Sequence, residues 1–261
     1  MEDKSERYRA FLEAHPPREH AGLTYWDLGS GPAILFLHGM AGGGDIWFQQ
    51  LLAFKDRHRV IAPSYRAREG LEGLTGDVLG LLDALGVGEF FVVGSSLGGY
   101  AAQYLLKTVP ERVRGALLFH TFPPDPAFAA RVHKALRLAR ILPWPILRAF
   151  LVRHTRRVVV PAGDHDPFLG AYLIASYRRL DKAEFLGRGR AVATLFTPPR
   201  PRVPLGIVEA DNDPVLPPPV RENLKRTYPT AWVITLDGGG HFSYVNRPEA
   251  ANRAIRRLVG P

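Results

Sequence analysis

The sequence predicts an α/β fold: a mostly parallel, twisted sheet with helices on both faces and a helical insertion between two core strands. Three observations carry this reading. Short runs rich in Val, Ile and Phe alternate with longer helical patterns. The runs are continuously apolar, as strands covered on both faces are. One stretch, residues 122–202, breaks the alternation with arginine-rich helical sequence, punctuated by proline and lacking a core strand.

Taken in order, strands are expected at Leu23–Leu28, Ala33–Leu37, Val60–Pro63, Phe90–Val93, Gly115–His120, Pro204–Glu209 and Trp232–Leu236. Helical patterns fill Ile46–Arg57, Leu74–Leu85, Gly98–Thr108, Pro217–Thr227 and Glu249–Val259, with Asp45 as the expected cap of the first. The core is therefore expected to comprise residues 1–121 and 203–261. Residues 122–202 form a lid over the carboxyl edge of the sheet, where open α/β sheets bind ligands.

At 261 residues, with 46% hydrophobic and 23% charged residues, the chain can bury a large core without staples. Cysteine is absent, which excludes a disulfide framework, Cys-zinc and iron–sulfur sites, and a Cys nucleophile. No apolar stretch reaches ten residues and the first twenty residues show no signal-peptide pattern, so the expected location is cytoplasmic. Six Lys against 28 Arg, 23 Pro and few amide residues point to a thermophilic source. The net charge of +9 is localised: residues 122–200 hold 14 basic and five acidic residues, and the rest of the chain is balanced.

Gly94-Ser95-Ser96-Leu97-Gly98-Gly99 follows a predicted strand and opens a predicted helix, the context a G-x-S-x-G nucleophile elbow requires. Such a turn forces its central residue into a strained backbone conformation, and only small neighbours, here Gly94 and Gly98, allow strand and helix to approach so closely. It presents the Ser96 hydroxyl at a helix N-terminus, which favours developing negative charge.

A serine hydroxyl needs a base. His241 follows three glycines just beyond the last predicted strand, and nothing marks the other eight histidines in this way. The acid that orients it is expected from Glu209–Pro217, with Asp213 chosen because Pro-Val-Leu-Pro then turns the chain into the next helix, and Asp211 as runner-up. His38-Gly39-Met40-Ala41-Gly42-Gly43 follows the second predicted strand. Its glycines permit close approach, so the amides of Met40 and Leu97 are the expected oxyanion donors.

Four motifs together, HGMAGG at 38–43, GSSLGG at 94–99, DNDPVLP at 211–217 and GGGHFSYVNRPE at 238–249, resemble the α/β-hydrolase superfamily over nearly all of the chain outside the lid. The resemblance implies the α/β-hydrolase fold and a carboxylesterase- or lipase-like serine hydrolase with a Ser96–His241–Asp213 triad. Residues 228–231, 239–244 and 180–186 are also similar to the maspardin-like group, which admits a binding role. A serine nucleophile disfavours the activities of haloalkane dehalogenases and epoxide hydrolases, which use Asp. The acid-and-glycine loop expected after the fourth strand is replaced by Pro63-Ser64-Tyr65-Arg66-Ala67-Arg68-Glu69.

Other signals point nowhere sharper. Asp164-His165-Asp166 reads as a polar loop rather than a metal site. No nucleotide motif or nucleic-acid module appears, so no cofactor and no nucleic-acid partner are expected. Phe128, Val132, Leu136 and Leu138, interleaved with Arg131, Lys134, Arg137 and Arg140 and extended by Ile141, Leu142, Trp144, Ile146 and Leu147, read as a helix packing its apolar side inward; membrane contact and an acyl pocket are the functional alternatives. The expected function is ester hydrolysis on a small-molecule substrate. The alternative is a hydrolase fold used for ligand or protein binding. A third class, cofactor-free oxidation, has no residue in its favour.

Overall fold

In the computed structural model, residues 3–66 and 70–260 are described. The chain runs through α1 (Lys4–Ala14), β1 (Arg18–His20), β2 (Leu23–Leu28), β3 (Ala33–Leu37), a 3-10 turn (Gly44–Trp47), α2 (Phe48–Phe54), β4 (Arg59–Ser64), α3 (Gly70–Ala84), β5 (Phe90–Ser95), α4 (Leu97–Thr108) and β6 (Val113–Phe119). Helices α5 (Pro126–Ile141), α6 (Trp144–His154), α7 (Val160–Ala162), α8 (Pro167–Arg179) and α9 (Lys182–Ala193) follow, with one π-helical turn (Thr155–Val159) after α6. The chain closes with β7 (Leu205–Ala210), α10 (Pro218–Thr227), β8 (Trp232–Leu236), a 3-10 turn (Gly240–Phe242), α11 (Ser243–Asn246) and α12 (Pro248–Val259).

The described strands form one sheet in the order β1-β2-β4-β3-β5-β6-β7-β8. β1 and β2 pair antiparallel, and β2 is antiparallel to β4. Every later pairing is parallel. Residue alternation explains the unbroken apolar runs: Leu35, Leu37, Val92, Ala116 and Leu118 pack on one face, whereas Ile34, Phe36, Val93, Leu117 and Phe119 pack on the other. Each strand is thus apolar on both sides because helices cover both.

Three expected strands, β2, β3 and β8, have the expected bounds, and the others differ by one or two residues at their ends. Two elements carry no sequence signal. α1 buries only Phe11, and β1 is exposed throughout, so neither shows an apolar period. Asp45 does not cap the following helix. The chain enters a 3-10 turn there, and the Asp45 carboxylate instead accepts hydrogen bonds from the hydroxyls of Tyr8 in α1 and Tyr172 in α8. The helix expected to reach Arg57 ends at Phe54. Leu138, Ile141 and Ile146 do not pack inward with Val132, Leu136 and Leu147; all three are exposed. Among the described residues, no helix is long and apolar enough to cross a membrane.

Between β6 and β7 the regular elements of the described chain are helices, flanked by irregular segments at 120–125 and 194–204. The inserted helices are fastened to the core by buried polar contacts. Arg188 of α9 donates to the carbonyls of Met40 (2.8 Å), Gly42 (2.9 Å) and Tyr65 (3.1 Å) and pairs with Glu184 at 2.6 Å. Ala67, Arg68 and Glu69, the end of the unusual loop after β4, lie outside the described residues.

Candidate active site

Four adjacent strands, β5 to β8, bring Ser96, His120, Asp213 and His241 to their carboxyl ends, each on the segment that leaves its strand. Parallel strands lie roughly 4.8 Å apart, so side chains from successive strand ends meet without long reaches.

Ser96 stands between β5 and α4 with φ of 54°. This left-handed conformation is costly for a residue with a Cβ and is held by the turn around it. A Cβ on Gly94 would lie 2.2 Å from the Gly98 carbonyl oxygen, and one on Gly98 would lie 2.1 Å from the Leu37 oxygen. Both glycines are therefore required for strand, turn and helix to meet. Ser96 is half-buried among buried neighbours, and its Oγ makes no hydrogen bond to a described residue.

Asp213 is buried after β7. Its Oδ1 accepts the amides of Val215 (2.8 Å) and Leu216 (3.1 Å), which fix the carboxylate plane. His241 Nδ1 lies 2.8 Å from Oδ2. Burial raises the Asp213 carboxyl, but the imidazoles of His241 and His120 outweigh it and hold the group well below the usual carboxylate range. Asp213 is thus an anion that fixes the orientation of His241 through Nδ1. Gly238, Gly239 and Gly240 all have positive φ, which lets the chain leave β8 and turn the His241 ring back.

Asp211 does not reach the imidazole. It is exposed, and its Oδ1 accepts the Gly238 amide at 2.9 Å, a bond that shapes the same glycine turn.

The loop after β3 runs beside the elbow. A Cβ on Gly39 would come within 3.2 Å of the Ser96 Cβ. Met40 follows Gly39 and Leu97 follows Ser96, and the amide of neither donates to a described residue. Leu97 is the first residue of α4, where a helix leaves its amides unsatisfied. His38 is buried beneath the loop: its Nδ1 bonds the Gly39 carbonyl at 2.7 Å and its ring stacks on Tyr65 with centroids 3.8 Å apart. Burial, and then the Arg188 charge, push its pKa down, so His38 is a neutral support.

Two functional residues escaped sequence reasoning. His120 follows β6 with φ of 43° and is fully buried. Its Nδ1 lies 3.2 Å from Asp213 Oδ2 and its Nε2 lies 2.6 Å from Ser243 Oγ. The available signal was its position at a strand's carboxyl end. Arg188 figured only in the charge tally, since nothing local marks an arginine that will be buried.

His120, Asp213 and His241 offer ligand atoms within 4.8 Å of one another. Both imidazoles bond the Asp213 carboxylate through Nδ1, so the cluster is tied together by hydrogen bonds. Asp164 and Asp166 do not converge: Asp164 pairs with Arg247 at 2.9 Å, while Asp166 caps α8 and pairs with Lys4.

A cavity of about 240 Å³ opens beside Met40, lined by Val132 and Leu136 of α5, Leu147 of α6, and Phe185 and Val192 of α9. Its walls are almost wholly apolar.

Comparison with known proteins agrees with this architecture. The chain is 27% identical to a protein of Azorhizobium caulinodans named as a carbamate hydrolase, RutD, over 94% of this chain and 98% of the relative. It is 26% identical to a Mycobacterium tuberculosis protein named as a non-heme bromoperoxidase, BpoC, covering 90% and 97%. Its fold superposes on the enol-lactonase of Burkholderia xenovorans with a TM-score of 0.77, at 21% identity, over 94% of this chain and all of that one. A family model described as the alpha/beta hydrolase family matches residues 34–254, a span that includes the elbow, the loop after β3, Asp213 and His241. The chain therefore belongs to the alpha/beta hydrolase family.

Proposed function

We propose that the protein is a serine hydrolase of carboxylic esters with an apolar group, and that α5–α9 act as a lid. The observation that carries the reading is the buried Asp213–His241 pair at 2.8 Å, two strands away from a serine held in a strained elbow. Ser96 Oγ attacks the acyl carbonyl while His241 Nε2 accepts its proton. Asp213 stabilises the imidazolium that forms. The amides of Met40 and Leu97 receive the oxyanion, and the C–O bond breaks as His241 returns the proton to the leaving alcohol. Water then attacks the acyl-enzyme by the same route, regenerating Ser96. The apolar cavity at Met40 supports an apolar group next to the scissile bond. The enol-lactonase that shares the fold is named for a cyclic ester, which accords with this chemistry.

One observation favours the binding reading: Ser96 Oγ makes no hydrogen bond to a described residue, and only the Ser96 carbonyl is engaged by a side chain, that of Thr121. Hydrogen bonds between catalytic groups, however, often tighten only around a bound substrate. Labelling with a fluorophosphonate, followed by a panel of aryl esters of rising chain length, separates the two. Covalent labelling and hydrolysis are expected for the native chain and for Ser95→Ala, and neither for Ser96→Ala. Undiminished labelling of Ser96→Ala removes the assignment, and an unlabelled native chain favours binding alone.

A further inference from the structure

Between Asp125 and Asp164 the chain has no acidic residue and eight Lys or Arg: 131, 134, 137, 140, 148, 153, 156 and 157. This segment forms α5 and α6, joined by Leu142 and Pro143. The helices bury Ala129, Ala139 and Leu147 on their inner sides. Their outer sides are unlike those of an ordinary surface helix. Leu138 is 60% exposed, Ile141 81%, Ile146 57% and Phe150 65%.

The spacing groups these residues. On α5, Leu138 and Ile141 are three apart, with Lys134 one turn before them on the same side and the exposed Arg137 and Arg140 alongside. On α6, Ile146 and Phe150 are four apart, and the exposed Arg153 follows on that side. On each helix, large exposed apolar side chains thus stand beside long, exposed basic ones. The acids of the adjoining α9 are engaged elsewhere: Asp181 caps the helix through the Glu184 amide at 2.7 Å, and Glu184 pairs with Arg188. Lys182 fixes the joint by donating to the Arg140 and Leu142 carbonyls at 2.7 and 2.8 Å.

We propose that the exposed sides of α5 and α6 dock on an anionic lipid surface. Apolar side chains enter the boundary between headgroups and acyl chains, while arginines extend to the phosphates. Each basic residue near such a surface contributes about 1 kcal/mol, or about fivefold in binding. The charge argues against other occupants. In a two-fold dimer this patch would meet its own copy, bringing like charges together without a compensating acid. A nucleic acid would satisfy the arginines but leave the exposed Leu, Ile and Phe unpaired with anything apolar. The inner faces of the same helices line the cavity at Met40, so a molecule drawn from the lipid would pass directly toward Ser96; this last link rests on the ester reading.

The test is co-sedimentation of the full chain with vesicles of phosphatidylcholine, with and without phosphatidylglycerol. Binding is expected to the anionic vesicles only, and to fall steeply toward 1 M NaCl, where the Debye length shrinks to ~3 Å. The variant Leu138→Ser/Ile141→Ser/Ile146→Ser/Phe150→Ser is expected to lose more than about tenfold in partitioning. Its melting temperature should be unchanged, because the four side chains are mostly exposed. Hydrolysis of a short, water-soluble ester should persist in this variant, so a failed ester reading shows in that assay alone, and a failed docking surface shows only on vesicles. The proposal is overturned if the native chain ignores anionic vesicles, if the four-residue variant binds them as well as the native chain, or if the native chain forms a dimer that the variant dissolves.

Discussion

His120 Nδ1 lies 3.2 Å from Asp213 Oδ2, the same oxygen that accepts from His241 Nδ1 at 2.8 Å. One carboxylate thus sits between two imidazoles. Burial pushes the His120 pKa down, so the ring is neutral; it donates Nδ1–H to Asp213 and accepts the Ser243 hydroxyl at Nε2. His120 therefore helps to position the carboxylate that orients His241. His120→Ala is expected to lower kcat about tenfold and to leave KM for a short ester unchanged. An unchanged kcat in the folded variant, or a loss carried by KM alone, would show a merely structural histidine.

The two candidate aspartates should separate sharply. Asp213→Asn turns a paired anion into an amide that can hold the wrong imidazole tautomer, and kcat should fall on the order of 10³–10⁴-fold. Asp211→Asn keeps the oxygen that accepts the Gly238 amide, so activity should stay within about twofold. Steady-state kinetics of both variants on one aryl ester decide it, and the reverse ranking would exchange the roles.

Gly39→Val should disable the loop after β3. Its new Cβ would press within 3.2 Å of the Ser96 Cβ, and the larger side chain forces loop and elbow apart. Loss of one oxyanion donor costs ~3–4 kcal/mol in kcat. A folded Gly39→Val protein of near-native kcat would take this loop out of the mechanism.

Stability should depend on pH through buried histidines. His38 and His120 are both held neutral by burial, with pKa values below the ordinary 6.5. Below about pH 6.5 the unfolded chain therefore binds protons that the folded chain refuses. The stabilisation is full above that pH and is lost as pH falls toward the folded-state values. Asp213 adds a second loss below about pH 4, because its carboxyl titrates lower when folded than when unfolded. Calorimetry should find Tm level above pH 7 and falling below about 6.5. A Tm that stays level down to pH 5 contradicts the neutral, buried assignment.

The central sheet was legible because strands covered on both faces write unbroken apolar runs such as Ala33–Leu37. The elbow was legible because its geometry demands Gly94 and Gly98 at fixed offsets. α1 and β1 were not legible, since a helix with one buried residue and a fully exposed edge strand leave no period in the sequence. Asp45 misled because a local capping pattern competed with two tyrosine hydroxyls more than thirty residues away on either side, and the tertiary contacts prevailed. His120 was silent for the same reason: its partners, Asp213 and Ser243, lie 93 and 123 residues downstream.

Arg188 ties α9 to the loop after β3. Its Nη1 grips the carbonyls of Met40 and Gly42, so α9 and the loop after β3 form one mechanical unit. If the helical layer swung away from the sheet as a whole, it would either break these bonds and strand a buried guanidinium or drag Met40 out of register with Leu97. The gaping state would then be inert, and the competent state would be the shut one. On the proposed mechanism, bulk water would meet Ser96 freely only when Met40 is out of place, an interlock between entry and turnover.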